Sequence, residues 1–301
     1  MASGVTGLRF IGFAVPDFDT EVAFMTSPWG LSPVSNDGEI AYFAAVGSDQ
    51  PFIVRVRKTD HKGLDVLGFS VDSRADLDAM YARLSADADI KIISPPAELT
   101  SPGGGYGFRL FDGDGHTLEI AADVTLVEKA DIKKGHSVPR GLSHVVMHAP
   151  NREKSERWYV EKLGFRVSDW IGDFMSFMRC SPAHHRLALL PGPAALNHVA
   201  FDMLSVDEML RGAARMKAAE QEIRWGPGRH TAGDNAFSYF ISPNGHTIEY
   251  TAGLENVDES WQATRYEPRK EILDQWGIGV GGPETMPHPV PDVGVWKPVT
   301  V

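Results

Sequence analysis

GLRFIGFAVP, from Gly7 to Pro16, and GLSHVVMHAP, from Gly141 to Pro150, are one frame written twice. Both open on Gly-Leu, both close on Pro, and the apolar positions between are similar. One position breaks the match, because Phe10 in the first stretch stands where His144 stands in the second. Gly7 to Gly141 is a step of 134 residues. LGFSVDS from Leu67 and NHVAFDM from Asn197 lie 130 residues apart, as do FDGDGHTLEI ending at Ile120 and ISPNGHTIEY ending at Tyr250. Collinear matches at a nearly constant step mark a duplicated unit. Residues 1–135 and 136–255 therefore read as two tandem domains, followed by a tail over 256–301. The polar run KADIKKGHSVP, Lys129 to Pro139, reads as the linker.

A smaller unit recurs inside each copy. In the second, LSHVVMHA reads as a strand and NREKSERWYVEKLG as a helix. Asn151 sits at the N-cap, Tyr159 and Leu163 share a face, and Gly164 ends the helix. FRVSDWI, DFMSFMRC and HHRLALL follow as short β-type runs. The order then restarts: NHVAFDM as strand, SVDEMLRGAARMKAAE as helix, then EIRWG, NAFSYFIS and HTIEYTA as strands. The first half reads similarly, with DSRADLDAMYARLSAD as its clearest helix. The fold class is α+β, with two β-α-β-β-β modules in each domain. The tail is rich in Pro and Gly from Gly277 onward, which excludes regular helix and central strand. It is expected to wrap over the domain.

At 301 residues the chain is long enough for two ordinary domains. A net charge of -11 excludes nucleic acid and anionic membrane surfaces as partners, since both need clustered Lys and Arg. The N-terminus has no apolar run of signal-peptide type, and nothing approaches the ~18 apolar residues of a membrane span. The single cysteine, Cys180, has no internal partner and reads as a packing residue in a reduced, cytoplasmic protein.

The chemistry lies in what one copy has and the other lacks. At the three matched places the second copy carries His144, His198 and Glu249, and the first carries Phe10, Gly68 and Glu119. Two histidines and one carboxylate are the ligand set of an octahedral, facially open Fe(II) site. The first copy keeps only the carboxylate and is expected to bind no metal in this way.

The duplicated frame, with GLSHVVMHAP, LNHVAFD and HTIEYTAG, resembles the type I extradiol ring-cleaving dioxygenases of the vicinal oxygen chelate superfamily, over about residues 5–255. The resemblance implies that each domain's modules form an open, barrel-like mixed sheet around a cavity. It implies a metal-free N-terminal domain and a C-terminal domain holding Fe(II) on His144, His198 and Glu249, with Mn(II) able to take the same ligands. By the same resemblance, CSPAHHRLALL implies a catalytic histidine at His185. GPGRHTAGDNAFSYF resembles the family's segment carrying another active-site histidine, which implies that role for His230 and for Tyr239 nine residues on. The implied reaction is O2-dependent opening of an aromatic diol beside its two hydroxyls, giving a product of hydroxymuconic-semialdehyde type, in aromatic catabolism. The implied partners are a small aromatic diol and O2, with no nucleic acid and no membrane, in a homo-oligomer.

Other residues read more plainly. His184 is expected on the opposite strand face from His185. His148 lies about 13 Å along its strand from His144, too far to share an ion, and reads as structural or pocket rim. His116 and His246 fill the same slot of the repeat and suggest a shared turn role, while His61, His136 and His288 read as surface residues. Asp234 reads as a turn residue. Arg179, Arg186 and Arg229 are the candidates for binding a substrate carboxylate. The Met/Phe run from Phe174 to Met178 favours an apolar substituent, and Trp276 with the Pro-rich end is a candidate cover. Two other functions fit the same fold: a metal-dependent glyoxalase-like isomerase or lyase that needs no O2, and a ligand-sequestering protein without chemistry.

Overall fold

In the computed structural model, which describes residues 4–293, the chain forms two mixed sheets of the same design. The first half contains β1 (Gly7–Val15), α1 (Phe18–Thr26), β2 (Ser32–Asn36), β3 (Ile40–Ala44), β4 (Val54–Lys58), β5 (Gly63–Ser70), α2 (Arg74–Ser85), β6 (Ile92–Glu98), β7 (Tyr106–Phe111) and β8 (Thr117–Ala122). The second contains β9 (Gly141–Ala149), α3 (Arg152–Leu163), β10 (Arg166–Ile171), β11 (Met175–Arg179), β12 (Leu187–Pro191), β13 (Ala195–Asp202), α4 (Val206–Ala218), β14 (Trp225–Arg229), β15 (Ala236–Ile241) and β16 (Thr247–Ala252). The β-α-β-β-β order thus occurs twice per half, as the sequence predicts. In space the first sheet runs β2-β3-β4-β1-β5-β8-β7-β6. The second repeats it as β10-β11-β12-β9-β13-β16-β15-β14.

Local chemistry sets the helix ends. Asn151 accepts from the Lys154 backbone N–H as the N-cap of α3, and Gly164 closes the helix at φ 78°, where a side chain would be strained. Ser73 and Ser205 cap α2 and α4 in the same way. Period-2 alternation then sorts the strands. On β9, Val145 and Met147 enter the main core, while His144, Val146 and His148 face the other way. On β13 and β16, Val199, Phe201, Ile248 and Tyr250 join that core and leave His198, Ala200 and Glu249 on the opposite face. Both faces are covered, so β9 and β1 are buried beyond their first two residues.

One core joins the halves. Trp29, just after α1, stacks on Tyr250 of β16 with centroids 3.9 Å apart, and Phe165, just after α3, meets Phe69 of β5 edge-on at 5.5 Å. Polar junctions flank this core as a reciprocal pair. The β7–β8 turn reaches α3, where the Ser155 hydroxyl donates to Asp114 (2.5 Å) and the Tyr159 hydroxyl to Asp112 (2.7 Å). The β15–β16 turn reaches α1, where Ser242 and Asn244 donate to Glu21. His116 and His246 close these two turns through their backbone carbonyls, in line with a turn role common to both copies. Their rings differ. His116 is raised to about 10, because Asp112 and Asp292 outweigh the effect of burial, whereas burial takes His246 down to about 3.

After β16 the chain adds β17 (Thr264–Tyr266) beside β10 in parallel, a short α5 (Lys270–Leu273) and one 3-10 turn (Pro283–Thr285). The Pro-rich segment does wrap over the second sheet. Gly226 and Val280 form a bridge, and Asp292 accepts from the Leu196 N–H (2.9 Å) at the start of β13. The last eight residues of the predicted tail, 294–301, lie outside the described residues.

The junctions yield a stability prediction. Burial, with the charge of Asp112 second, pushes the Asp114 carboxyl from 3.8 to about 6. Protonated Asp114 thus favours the folded state, and that stability is lost as pH rises from about 4 through about 6. The matched residue in the other copy is Asn244. Asp114→Asn is expected to stabilise the chain by about 1–2 kcal/mol near pH 8, after allowance for partial exposure, and by almost nothing near pH 4. Urea midpoints at the two pH values check this; a gain that is the same at both would exclude the charge as its cause.

Candidate metal centre

His144, His198 and Glu249 stand on β9, β13 and β16, three neighbouring strands of the second sheet. Ala200 is the hinge of their register, paired with His144 on one side and with Glu249 on the other. A bulge between Leu196 and His198 adjusts the approach of the second imidazole. One ligand atom from each residue lies within 4.8 Å of the others, and all three residues are buried. His144 Nε2 is 3.3 Å and His198 Nε2 3.2 Å from Glu249 Oε2. Among the described residues, Glu249 Oε2 and His198 Nε2 have no hydrogen-bond partner.

The polarity of the surrounding bonds shows what that gap needs. The Pro191 carbonyl can only accept, so His148 donates to it from Nδ1 (3.0 Å). Burial lowers the His148 pKa, so the ring is neutral and its Nε2 accepts from Asn197 Nδ2 (2.7 Å). Asn197 Oδ1 then accepts from His198 Nδ1 (2.5 Å). The His198 proton is therefore on Nδ1, and the Nε2 lone pair points at Glu249. Ser143 lies 3.0 Å from His144 Nδ1 and leaves that ring's Nε2 facing the same carboxylate. The His198 lone pair and an anion converge with no proton to separate them, and His144 Nε2 faces the same point. A divalent cation satisfies this donor set, and the fit is that of a two-His, one-carboxylate site. Burial would push the Glu249 carboxyl up, but the facing imidazoles outweigh it and hold the group below the usual carboxylate range.

The remaining predicted residues stand against these. The His185 ring lies 4.3 Å from that of His144, centroid to centroid, and Tyr239 lies 5.0 Å from His198. Tyr239 donates to His230 Nε2 (3.0 Å), because His230 Nδ1 donates to the Leu273 carbonyl (2.6 Å). Burial takes His230 down to about 4 and His185 well below the ordinary imidazole value. Asn235 bonds Thr251 (2.8 Å) beside the Glu249 carboxylate. Gly233, at φ +85°, backs onto His185, and a Cβ there would fall 3.1 Å from the ring.

A cavity of about 270 Å³ opens beside this cluster, bounded on its polar side by His148, Asn197, His198, His230 and Tyr239. Its other walls are apolar: Ile171, Phe177 and Leu190 from the sheet, Trp225 from β14, and Ile272, Leu273 and Met286 from the tail. His185 lies behind that wall, with Phe177 edge-on to it at 5.1 Å. His288 is exposed at the cavity mouth.

The strand register corrects one pairing from the sequence. Phe10 and Glu119 do match His144 and Glu249, but both pair with Gly68, as His144 and Glu249 both pair with Ala200. The counterpart of His198 is therefore Val66, two residues from Gly68. A two-residue slip keeps the same strand face, so the sequence alone did not expose it. The same register makes Phe52 the counterpart of His185 and Arg109 that of Tyr239. Phe10, Phe52 and Val66 pack as one apolar cluster where the second copy has three imidazoles. The kept carboxylate, Glu119, accepts from Arg109 Nε (3.0 Å) and Nη2 (2.7 Å), with Arg9 at 3.6 Å.

Other expectations fare variously. His184 is not a neighbour on the far face of a strand; it is buried in a loop between Asp169 and His185, hydrogen-bonded to both. Arg179 and Arg186 bond backbone carbonyls and serines, Arg229 pairs with Asp234, and none of the three lines the cavity. Asp234 is a turn residue at φ 49° that also holds Arg229. Burial raises the free Cys180 thiol to about 12, which leaves it unreactive. His148 and Asn197 are more than rim: they fix the His198 tautomer. Asn197 was visible in LNHVAFD but had no reason to stand out, and Asp169 carried no signal at all.

The model of the Glyoxalase/Bleomycin resistance protein/Dioxygenase superfamily matches residues 141–250. The crystal structure of a Mn(II)-bound glyoxalase from Novosphingobium aromaticivorans superposes with a TM-score of 0.96, at 49% identity over 99% of both chains. The chain belongs to this superfamily. Among curated relatives, metapyrocatechase 2 of Cupriavidus necator is 28% identical, covering 88% of this chain and 87% of its own. Biphenyl-2,3-diol 1,2-dioxygenase of Paraburkholderia xenovorans is also 28% identical, covering 87% and 93%. His144, His198 and Glu249 all lie within the stretch that the family model matches.

The hydrogen-bond chain behind His198 makes a testable point. Asn197→Leu removes the acceptor that keeps the His198 proton on Nδ1. It is expected to weaken divalent-metal affinity about 10- to 100-fold without unfolding the chain. Competition with a chromogenic chelator measures the affinity, and circular dichroism checks the fold. Unchanged affinity would dismiss the role of the chain.

Proposed function

We propose that this chain opens the ring of a catechol-type diol with O2, beside the two hydroxyls, at a divalent ion held by His144, His198 and Glu249. Fe(II) is the ion this chemistry calls for, and Mn(II), which the glyoxalase structure is named for, accepts the same ligands. The observation that carries the reading is the convergence of unprotonated His198 Nε2 and Glu249 Oε2 beside a cavity wall of His230 and Tyr239. The names of the full-length curated relatives, a metapyrocatechase and a biphenyl-diol dioxygenase, support it. Within the reading, residues 1–135 form the metal-free domain and 136–255 the metal-binding one.

When bound, such an ion keeps positions open for the diol and for O2 and links the two electronically. The protein's own residues do the rest. A diol hydroxyl beside Tyr239 can donate to the phenol oxygen, which donates to His230 Nε2, which is anchored through Leu273. Burial keeps the free His230 ring neutral and weakens it as a base, so its Nε2 can take up a proton released along this line where the charge left on the diol offsets that burial. His185, neutral for the same reason, is the second proton acceptor, next to His144. The apolar walls exclude water from the ring.

Those walls also point to the substrate. Among the described residues no Lys or Arg lines the cavity, and Glu284 sits at its rim. A carboxylated diol would find no cation, so the preferred diol carries a neutral, apolar substituent. No helix among the described residues is long and apolar enough to cross a membrane. The working setting is the cytoplasm, in aromatic catabolism, as a homo-oligomer.

The name of the 49% identical structure favours a second reading, a glyoxalase-like isomerase that consumes no O2. Oxygen uptake separates the two. Protein purified without air and loaded with Fe(II) or Mn(II) is offered catechol, 3- and 4-methylcatechol, 2,3-dihydroxybiphenyl and homoprotocatechuate. Expected are one O2 per diol, a yellow product, and preference for an apolar diol over homoprotocatechuate. His185→Ala is expected to lower kcat by about 10²- to 10⁴-fold with metal content unchanged. Metal-loaded protein that consumes no O2 with any diol, yet isomerises the glutathione adduct of a 2-oxoaldehyde, would establish the second reading.

A further inference from the structure

Behind His185 lies a buried line of polar groups that the sequence did not reveal. His184 Nδ1 is 3.0 Å from His185 Nδ1, and His184 Nε2 is 2.8 Å from Asp169 Oδ2. The other carboxylate oxygen, Oδ1, accepts from the Thr264 backbone N–H at 2.7 Å. All three side chains are almost wholly buried. The rings of His184 and His185 stand edge to face, and Trp261 packs edge-on against His184 while donating to the Ser168 carbonyl. The line therefore has little freedom to turn.

Its polarity follows from its far end. An ionised carboxylate only accepts, so the His184 proton that faces it sits on Nε2. In the neutral ring His184 Nδ1 is then a lone pair and accepts from His185. We propose that Asp169 and His184 are positioning residues that hold the His185 proton on Nδ1 and so present its Nε2 as a lone pair to the metal side of the site. The inference rests on the reading of His185 as a proton acceptor in the reaction above. β17 belongs to the same device, because the tail supplies the Thr264 N–H that pins the carboxylate.

Asp169→Asn tests this with almost no change of shape. The Thr264 N–H can only donate, so the Asn oxygen turns to it and the Asn NH2 faces His184 Nε2. His184 must then carry its proton on Nδ1 and donate to His185, whose own proton moves to Nε2. The expected result is read by ¹⁵N NMR of histidine-labelled, full-length protein loaded with diamagnetic Zn(II). The His185 proton sits on Nδ1 in the parent and on Nε2 in the variant. In the metal-loaded enzyme, kcat falls about 10²- to 10⁴-fold while KM and metal content hold. A second pair of variants guards against misfolding. In His184→Gln an amide can donate to Asp169 and accept from His185, so the parent tautomer and most of the turnover are kept; His184→Leu loses both. An unmoved His185 proton in Asp169→Asn, or a moved one with unchanged kcat, overturns the proposal, as does His184→Leu with parental tautomer and turnover. Should the parent enzyme turn over no diol, the functional reading fails, and the NMR comparison still decides whether the line sets the tautomer.

Discussion

The Glu249 carboxylate oxygen and the His198 Nε2 lone pair, held 3.2 Å apart with no hydrogen between them, repel one another unless a cation stands beside them, and His144 Nε2 faces the same oxygen at 3.3 Å. Much of the second sheet exists to hold that arrangement. The strand order brings β9, β13 and β16 side by side, and the period-2 pleat turns His144, His198 and Glu249 to one face. The apolar residues of the other face anchor these strands in the core shared by both halves. The outer bonds then decide protonation. In three places the line ends on a group that can only accept: the Pro191 carbonyl behind His198, the Leu273 carbonyl behind Tyr239 and His230, and the Asp169 carboxylate behind His185. Each outer acceptor draws the proton outward and leaves the inward nitrogen or oxygen free for metal or substrate.

The first sheet meets the same constraint without an ion. It keeps Glu119 buried at the place of Glu249, and a buried carboxylate needs a positive partner. Arg109, where the second copy has Tyr239, supplies it in a two-nitrogen grip on Glu119, and Arg9 stands nearby. Phe10, Phe52 and Val66 fill the space of three histidines, so no imidazole lone pairs stand there, and Glu119 Oε1, which lacks a hydrogen bond, faces Arg9 at 3.6 Å. The two copies are alternative solutions on one backbone, one with internal cations and apolar rings, the other with ligands arranged for an external cation.

This comparison explains what the sequence could and could not reveal. The duplication, the module order, the ends of α3 and the cluster of three candidate ligands were legible, because they depend on local pattern and on residue type at repeated places. His185, His230 and Tyr239 were legible only through resemblance, and the structure brings all of them to the ligand cluster. The pairing of Gly68 with His198 went astray because the repeat drifts by two residues on β5, a change that a period-2 pattern does not register. His184 was misjudged because HHRLALL reads as one strand, whereas β12 begins only at Leu187 and the two histidines lie in the loop before it. Asp169 and His148 act through long-range hydrogen bonds, and no spacing rule reports a partner 15 or 49 residues away.

The division between repeat and tail has a consequence for specificity. Every candidate ligand and proton acceptor comes from strands or loops of the duplicated frame, so the chemistry is tied to the part of the chain that the fold holds most firmly. The cavity's outer wall is different. Ile272, Leu273, Pro283 and Met286 belong to the tail, which has no counterpart in the first half. The same tail donates Thr264 N–H to Asp169 and the Leu273 carbonyl to His230, so it completes two of the three hydrogen-bond lines while it shapes the pocket. A change in the tail that enlarges the pocket without moving those two backbone groups can alter which diol fits and leave the proton acceptors set. A change that shifts Thr264 or Leu273 disturbs His185 or His230 directly. Substrate range and catalytic competence are therefore separable in this chain only where the tail's side chains, and not its backbone, are altered.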